Sequence, residues 1–388
     1  MRILYGVVGE GMGHATRSRV VLEHLLARGR EVRVVVSGRA HKFLVDRFKG
    51  RGGIAFEEIQ GLSLRFEGNA LDKSETLEAN IKALPGFFGD NIEVYRKVAE
   101  DGFRPEMVIS DFETWAYLYA LNHRLPVVSI DNMQVLNRCA HDDEVTDEGR
   151  ASFELAKFIV KAKLPGAYHY LVSSFFYPEV RKPRTTLVPP ILRPEILAAR
   201  REPGQHILVY QSTATATEVL IPLLKRLPYP FRVYGTGRDG QEGNLSFRPF
   251  SETGFVDDLR TARAVLAGGG YSLMGEAVHL HVPMYSIPVE RQFEQILNAR
   301  YLEKLGFGRT AERLTEEGLL PFLEGLDAHT HALEAGYTPS SNEMLMTCVD
   351  ELIRDVSLDE PPPERLASPA MGKYDGPPLP EELAAALE

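Results

Sequence analysis

Three consecutive glycines, Gly268, Gly269 and Gly270, form the part of this sequence best suited to holding a ligand. They follow the apolar run 264–267 and lead into a helix-compatible segment, which predicts a strand-to-helix turn. The first N–H groups of a helix have no partner inside it, so such a turn attracts phosphate. Glu276, about two helical turns further on, could accept hydrogen bonds from the hydroxyls of a ribose. The pattern therefore favours a nucleotide over free phosphate.

Polar residues after this helix are suited to a sugar. Glu294 and Gln295 offer a carboxylate and an amide, which match the many donors and acceptors of a carbohydrate. Asn298, one turn later, would fix the helix that carries them. A solvated charged helix face is the alternative, and the presence of Glu276 on the preceding helix makes it the weaker one.

A second glycine-rich turn spans residues 9–14 and ends in His14. A dinucleotide-binding fingerprint competes for this turn, but its last glycine would fall on His14. The second predicted strand also ends without the acid that binds an NAD ribose, although Arg39 could suit a 2′-phosphate. A histidine at a helix start is often a surface residue, but the glycines around this one favour a place in a ligand site.

Several polar residues follow predicted strands, and the carboxyl ends of parallel strands are where open α/β sheets bind ligands. They are Asp111 with Glu113 nearby, Asp131 and Asn132, and Gln211 and Ser212. Each has an ordinary alternative, since an aspartate beyond a strand commonly caps a helix, and Gln211 could lie in a plain polar turn. Phe250, in the run 248–251 before a helix, could pack on a nucleotide base or belong to the core.

Short β-rich runs alternate with helical stretches, a pattern that predicts parallel strands joined by crossover helices. Strands are predicted at 3–8, 33–37, 55–59, 107–110 and 127–130, and then at 206–210, 231–234, 264–267 and 284–287. The polar run 200–204 interrupts this alternation, which then restarts. We therefore predict an α/β protein with two doubly wound, Rossmann-like parallel-sheet domains facing a cleft. The predicted domains are residues 1–198 and 199–356, followed by a proline-rich tail, 357–388.

Composition narrows the functional classes. The 388 residues are enough for two domains that each bury a core. The net charge of −10 argues against a nucleic-acid binder, which would need a basic footprint. Cys139 and Cys348 lack metal-site spacing and lie in different predicted domains, which disfavours both zinc and a disulfide. No apolar run approaches the ~20 residues of a membrane span, so we expect a cytoplasmic protein.

The spacing from Gly270 to Glu276, followed by Glu294 and Gln295 shortly before Asn298, resembles the donor-binding half of GT-B glycosyltransferases. The likeness is to the lipid II N-acetylglucosaminyltransferase and to the plant and antibiotic UDP-glycosyltransferases. More narrowly, the chain resembles an uncharacterised bacterial and archaeal group within this superfamily. The resemblance covers roughly residues 1–355.

Two features depart from the family pattern. Gly268 stands where the plant enzymes carry a phosphate-contacting histidine, and the hydroxyl of the turn is Ser272 rather than the next residue, here Leu273. The individual phosphate contacts therefore stay open. The donor-binding residues implied by the resemblance are Gly13, Gln211, Ser212, Phe250, Gly269, Gly270, Tyr271, Ser272, Glu276, Glu294, Gln295 and Asn298.

The resemblance also implies the catalytic roles. His14 would be the base that takes a proton from the acceptor, and Asp111 would orient it, with Glu113 as a nearby substitute. Glu113, Asp131 and Asn132 would lie on the acceptor side.

These expectations describe a metal-independent, inverting hexosyltransferase that moves a sugar from a nucleotide donor, preferably a UDP-sugar, to a hydroxyl-bearing acceptor. We expect no cofactor and no metal, because no Asp-x-Asp cluster is suitably placed and a helix dipole can stabilise the leaving UDP. A UDP-sugar 2-epimerase and a non-catalytic nucleotide-sugar-binding subunit stay open as alternatives. Peripheral contact with the inner face of a membrane would use residues 157–163 and 84–88, which could equally be a core-facing helix and a loop.

Overall fold

Two seven-stranded sheets carry the fold. The computed structural model describes residues 1–9, 11–61, 66–67, 70–71, 89–211, 214–290, 292–364 and 366. The expectations for Ser212, for residues 84–88 and for most of the proline-rich tail lie outside the described residues.

The first sheet is built from seven parallel strands. They are β1 (Arg2–Val7), β2 (Glu31–Val36), β3 (Ile54–Glu58), β6 (Met107–Asp111), β7 (Val127–Asp131), β8 (His169–Ser173) and β9 (Thr185–Val188). Their order is β3-β2-β1-β6-β7-β8-β9, and β4 (Phe66–Glu67) and β5 (Ala70–Leu71) form a separate antiparallel pair. Every residue of β6 and β7 is buried, as expected for central strands of a parallel sheet covered on both faces.

The second sheet repeats this plan. Its strands are β10 (Ile207–Tyr210), β11 (Phe231–Tyr234), β12 (Gly240–Glu242), β13 (Leu245–Phe247), β14 (Ala264–Ala267), β15 (Met284–Ser286) and β16 (Gly308–Thr310). Their order is β12-β13-β11-β10-β14-β15-β16, and only the short edge strand β12 runs antiparallel. The predicted fold class, two doubly wound parallel-sheet domains, is confirmed.

Helices cover the sheets. Those up to the second sheet are α1 (Met12–Ala27), α2 (Gly38–Arg47), α3 (89–100), α4 (Thr114–His123), α5 (Val135–Arg138), α6 (Asp143–Thr146), α7 (Arg150–Lys163) and α8 (Pro194–Leu197). The others are α9 (Ala214–Arg226), α10 (Glu252–Thr261), α11 (Tyr271–His279), α12 (Phe293–Lys304), α13 (Glu316–Glu324), α14 (Leu326–Gly336) and α15 (Glu343–Ser357).

The strand order reverses once in each sheet, between β1 and β6 in the first and between β10 and β14 in the second. At such a point the connections leave in opposite directions, and the crevice between them is where doubly wound sheets bind ligands. Because α1 follows β1 and α11 follows β14, each of these helices begins at the crevice of its own sheet.

The last helix returns to the first domain. Leu345 and Leu352 of α15 belong to the same apolar cluster as Val34 of β2. Further on, Thr185 N in β9 donates a hydrogen bond to Glu364 O at 3.2 Å, so the chain continues along the edge of the first sheet. The sequence counted α15 with the second domain, whereas its apolar face is buried in the first. The predicted division at residue 198 stays a prediction.

Candidate active site

His14 and Asp111 meet at the crevice of the first sheet. Val7 at the end of β1 pairs with Asp111 at the end of β6, and α1 begins shortly after β1. His14 Nδ1 lies 2.8 Å from Asp111 Oδ1, within hydrogen-bonding distance. The structure thus brings together the two side chains that the sequence paired, and their roles stay a prediction.

Two further side chains of α1 bind the same carboxylate. Arg17 Nε donates to Asp111 Oδ2 at 2.8 Å and Arg17 Nη2 donates to Oδ1, while Ser18 Oγ donates to Oδ2 at 3.0 Å. Residues 14, 17 and 18 share one helix face because they are three and four positions apart. This spacing is the signal in the sequence that could have placed Arg17 and Ser18 beside Asp111.

Burial and the charge of Arg17 disfavour protonation of His14. Burial lowers the pKa of His14, and Arg17, whose Nη2 lies 2.6 Å from His14 Nδ1, lowers it further against the opposing effect of Asp111. Burial alone would raise the pKa of Asp111, but Arg17 and His14 outweigh it and hold this pKa at about 2. With the proton on Nδ1, the imidazole donates to the ionised Asp111 carboxylate and Nε2 carries the lone pair. This is the form that a general base requires.

Two uncapped helix starts face each other across the cleft. The N-cap residues are Gly11 for α1 and Gly270 for α11, and within the described residues neither helix has a side-chain cap. A Cβ added to Gly13 would come within 2.5 Å of Ser272 Oγ, so the two helices touch at their first turns. Their N–H groups and the positive ends of their dipoles therefore converge, which suits an anion.

Glu113 caps the start of a helix. Its Oε2 accepts a hydrogen bond from Ala116 N at 2.7 Å and thereby caps α4. Burial raises the pKa of this carboxyl. The expectation that Glu113 faces the acceptor or substitutes for the base stays a prediction, and in either role the carboxylate would also have to cap the helix. The capping function considered for Asp111 thus belongs to Glu113.

Asp131 likewise forms hydrogen bonds with residues close to it in the chain. Its Oδ1 accepts from Gln134 N at 2.8 Å and its Oδ2 from Ser129 Oγ at 2.5 Å. The side chain is fully buried, and burial raises its pKa to about 6. The carboxylate thus holds the loop after β7 in place, and the expected acceptor contact of Asp131 stays a prediction.

Asn132 joins the two domains. Its Oδ1 accepts a hydrogen bond from Arg17 Nη1 at 3.1 Å, and its Nδ2 donates to Glu294 Oε1 at 2.7 Å. Only 2% of Asn132 is exposed. Both ends of its amide are therefore bonded, to Arg17 of the first domain and to Glu294 of the second, and its expected position on the acceptor side stays a prediction.

Gln295 supports the glycine turn. Its Oε1 accepts from Gly269 N at 3.2 Å and from Val289 N at 3.1 Å, and its Nε2 donates to Gln292 Oε1 at 2.6 Å. A Cβ on Gly269 would lie 2.6 Å from the Cβ of Gln295, so only glycine lets α12 approach this closely. The amide that was expected to contact the sugar is thus engaged with the backbone of the turn.

Glu294 and Asn298 tie the same helix to the turn. Glu294 Oε1 accepts from Asn298 Nδ2 at 2.7 Å, and this Nδ2 also lies 3.4 Å from Gly269 O. Burial raises the pKa of Glu294, and its two amide partners oppose that effect. Asn298 therefore has the positioning task that its place in the sequence suggested.

Glu276 forms a buried ion pair that the sequence did not reveal. Arg193 donates to it twice, from Nε to Oε1 at 2.7 Å and from Nη2 to Oε2 at 2.8 Å. Burial disfavours the charged guanidinium, but the Glu276 carboxylate outweighs it and raises the pKa of Arg193. Arg193 precedes α8, in the segment between the two sheets. The expected ribose contact stays a prediction, and a ribose would have to share the carboxylate with Arg193.

Tyr271, Gln211 and Phe250 are further predicted donor residues that the structure describes. Tyr271 is buried, and its hydroxyl lies 2.8 Å from Ser173 Oγ of the first domain, so its side chain is directed away from the turn. Gln211 follows β10, whose last residue pairs with the residue before Gly268. Phe250 is 72% exposed, which excludes the alternative that it belongs to the core.

The site combines two complementary halves. A neutral histidine ordered by a carboxylate can remove a proton from a hydroxyl, and the opposing helix start can hold an anion. Among the described residues, no group of three or more His, Cys, Asp and Glu side chains is arranged to hold a metal ion. In the same parts of the chain, no helix is long and apolar enough to cross a bilayer.

Known proteins share this arrangement of domains. The chain is 16% identical to the glycotransferase of kitacinnamycin, with a TM-score of 0.58 over 92% of this chain and 98% of that one. MurG of Acinetobacter baumannii gives 17% identity and a TM-score of 0.56 over 90% and 99% of the two chains. The calicheamicin glycosyltransferase CalG4 gives 14% and 0.59 over 92% and 99%. These likenesses establish the GT-B fold.

Sequence comparison identifies the family. Uncharacterized glycosyltransferases of Methanosarcina acetivorans and Methanosarcina mazei are 26% and 25% identical to this chain, covering 80% of it and 85% of each relative. The family model described as glycosyl transferase family 1 matches residues 1–327. The chain therefore belongs to glycosyl transferase family 1 and is a glycosyltransferase with the GT-B fold.

Proposed function

We propose that this glycosyltransferase moves a sugar from a UDP-sugar to a hydroxyl group of its acceptor, with inversion at the anomeric carbon and without a metal or cofactor. The observation that carries the proposal is the hydrogen-bonded pair His14 and Asp111 opposite the uncapped start of α11. Gly13, next to His14, touches Ser272 of that helix start, so base and anion site share one cleft.

The chemistry follows from the state of His14. The acceptor hydroxyl gives its proton to His14 Nε2 while its oxygen attacks the anomeric carbon, and the bond from that carbon to the UDP oxygen breaks. Asp111 stabilises the imidazolium that forms and keeps the ring in the required tautomer. A single displacement of this kind inverts the anomeric centre. The lowered pKa of His14 supports the proposal because the base is then free of its proton at neutral pH.

The donor diphosphate would lie on the N–H groups of Gly270, Tyr271 and Ser272, since the Gly269 N–H is already bound by Gln295. The dipole of α11 would stabilise the negative charge that develops on the leaving UDP. Exposed Phe250 is suited to pack on the base, and Glu276 is suited to bind the ribose.

A transfer assay tests this function. The purified protein is incubated with UDP-, dTDP- and GDP-sugars and a panel of hydroxyl acceptors, with EDTA and separately with Mg²⁺. We expect acceptor-dependent release of UDP and a product of inverted anomeric configuration, both unaffected by EDTA. Loss of activity in EDTA that metal restores would contradict metal independence, and a retained anomer would contradict direct displacement.

The same assay separates the alternative functions. A 2-epimer formed from a UDP-sugar without acceptor would identify an epimerase. Binding of the donor with no turnover across the panel would favour a non-catalytic binding subunit.

We propose that helix α7 makes peripheral contact with an anionic bilayer. The bilayer would then be a further partner of the protein besides its donor and acceptor. Leu155, Phe158 and Ile159 are exposed, Phe158 by 67%, and Lys157 and Lys161 lie among them. Apolar side chains flanked by lysines suit the boundary between anionic headgroups and acyl chains.

Vesicle co-sedimentation tests this contact. The wild type should sediment with vesicles containing phosphatidylglycerol more than with neutral vesicles, and Phe158→Ser should reduce the bound fraction. Leu358→Ser, at an exposed position beyond α15, is the control. Equal sedimentation of Phe158→Ser and the wild type would contradict this contact.

A further inference from the structure

Asn132 has an amide that only one orientation satisfies. A guanidinium can only donate hydrogen bonds and a carboxylate can only accept them. The Asn132 oxygen must therefore face Arg17 Nη1, at 3.1 Å, and its nitrogen must face Glu294 Oε1, at 2.7 Å. Asn132 is nearly buried and is held in this way between charged groups of the two domains. It therefore fixes the position of one domain relative to the other.

On the first-domain side, the contact leads directly to His14. Arg17 binds both oxygens of Asp111, and Asp111 Oδ1 is also the acceptor for His14 Nδ1–H. The orientation of the carboxylate that holds the imidazole thus depends on Arg17. Arg17 is in turn fixed from its far side by Asn132.

On the second-domain side, the contact leads to the glycine turn. Glu294 Oε1 is shared with Asn298 Nδ2, which also lies 3.4 Å from Gly269 O. Glu294 and Asn298 lie on α12, the helix whose Gln295 holds the Gly269 N–H. A movement of this turn relative to the first domain would therefore displace Glu294 from Asn132.

We propose that Asn132 is a positioning residue that couples the alignment of His14 to the seating of the second domain, so that the base is correctly oriented only while the two domains are closed. The proposal rests on the proposed function of His14. Domain separation would break the hydrogen bond between Asn132 and Glu294 and leave the Asn132 N–H without this partner, which disfavours partial opening. The coupling is reciprocal, since whatever holds the second domain in place also holds the base.

The charges around His14 predict in which direction a loss of this coupling shifts the pKa of His14. Asp111 from β6, Arg17 from α1 itself and Lys163 from α7 act on His14, while Asp131 and Glu294 act on Arg17. Glu294 offsets part of the Arg17 charge. Removing that carboxylate charge, or the amide that keeps it in place, should therefore make His14 harder to protonate.

Titration of the His14 imidazole by NMR tests the proposal on the full chain, with Asn132→Ala, Glu294→Gln and the double variant. We expect both single substitutions to shift the His14 midpoint to lower pH, and the double variant to match Glu294→Gln alone, because both cut the same connection. The control is Asn137→Ala, a buried asparagine of α5 that bonds to Gln134 instead. Additive shifts, or an unchanged midpoint in Asn132→Ala, would overturn the proposal.

Kinetics provide a second readout. Asn132→Ala should lower kcat by roughly tenfold through misalignment of the base, while its affinity for UDP stays unchanged. Unchanged kcat together with weakened UDP binding would also overturn the proposal. The titration needs neither donor nor acceptor, so it decides this inference even if UDP proves to be the wrong nucleotide. Glu294→Gln keeps the side-chain volume and serves if Asn132→Ala does not fold.

Discussion

Gly13 of the first domain lies against Ser272 of the second, and a Cβ on Gly13 would come within 2.5 Å of the serine Oγ and 3.2 Å of its Cβ. No side chain fits between the two helix starts at this point. The contact brings the turn before His14 to the predicted diphosphate site. It therefore sets the distance between the base and the donor.

The first prediction concerns this contact. Gly13→Ala should lower kcat by roughly tenfold to a hundredfold, because the added methyl group separates the helix starts and displaces the base from the sugar. Gly13 is not in the left-handed region, so the substitution should leave folding intact. Steady-state kinetics measure the effect, and Gly52→Ala, where the added Cβ meets open space, is the control.

A suppressor sharpens this test. Ser272→Gly removes both atoms that the new methyl group would meet. The Gly13→Ala substitution should therefore cost less activity in a Ser272→Gly background than in the wild type. Equal losses in the two backgrounds would show that the contact is not the cause.

The second prediction concerns Glu276 and the ribose. Glu276→Ala should weaken UDP binding by about 1.5–3 kcal/mol, the range for a hydrogen bond to a charged group. Isothermal titration calorimetry measures the change. Arg193→Ala breaks the same ion pair but keeps the carboxylate, so it should destabilise the fold while retaining most of the UDP affinity. If both variants lose affinity equally, the carboxylate does not bind the ribose and acts only through the ion pair.

The third prediction revises an expectation from the sequence. Gln295 was expected to discriminate the sugar and leave UDP binding intact, but its Oε1 holds the N–H groups of Gly269 and Val289. Gln295→Ala should therefore weaken UDP itself, by about 1–2 kcal/mol, because the turn loses a buried support. Gln292→Ala, which removes only the partner of the Gln295 Nε2, should have little effect. Intact UDP affinity in Gln295→Ala would restore the original expectation.

These cases indicate which parts of the site the sequence could predict. His14 and Asp111 could be paired because the resemblance to GT-B glycosyltransferases implied a base and a carboxylate that orients it. The ion pair between Arg193 and Glu276 could not be predicted. Its members are 83 positions apart, and Arg193 lies in a connecting segment without a recognisable sequence pattern. The amide of Gln295 has the chemistry for either a sugar or a backbone, and only packing of α12 on the turn decides between them.

Among the strands, too, some could be predicted from the sequence and others could not. Central strands such as β6 and β14 were predictable because they are continuous apolar runs between turns. The outer strands β8 and β9 were missed, and β8 contains a polar residue, His169. This residue is buried because Thr186 Oγ1, at 2.9 Å, and Pro363 O, at 3.1 Å, bond its ring, and the second partner comes from a distant part of the chain. Tertiary hydrogen bonds of this kind leave no local signal.

The fourth prediction concerns stability and pH at Asp131. Because burial raises its pKa from 3.8 to about 6, the protonated form stabilises the fold fully below the ordinary value, and this contribution is lost as the pH rises through about 6. Asp131→Asn can keep the bonds to Gln134 N and Ser129 Oγ without an ionisable group. The variant should be more stable than the wild type by roughly 1–3 kcal/mol at pH 8 and should gain little at pH 4.

Urea unfolding at the two pH values measures this difference. A gain of equal size at both would show that the ionisation of Asp131 does not govern it. A loss of stability at pH 8 would mean that the ionised carboxylate is needed in the fold.

We propose that His14 is the base, and the variant His14→Ala is the decisive test of this claim. Measured at saturating acceptor and donor, kcat should fall by on the order of a hundredfold or more, the usual contribution of a general base, while the affinity for UDP stays close to that of the wild type. His24→Ala is the matched control, because His24 lies at the other end of α1 and bonds to Asp350 Oδ1 at 3.0 Å. A near-normal kcat in folded His14→Ala would contradict the claim.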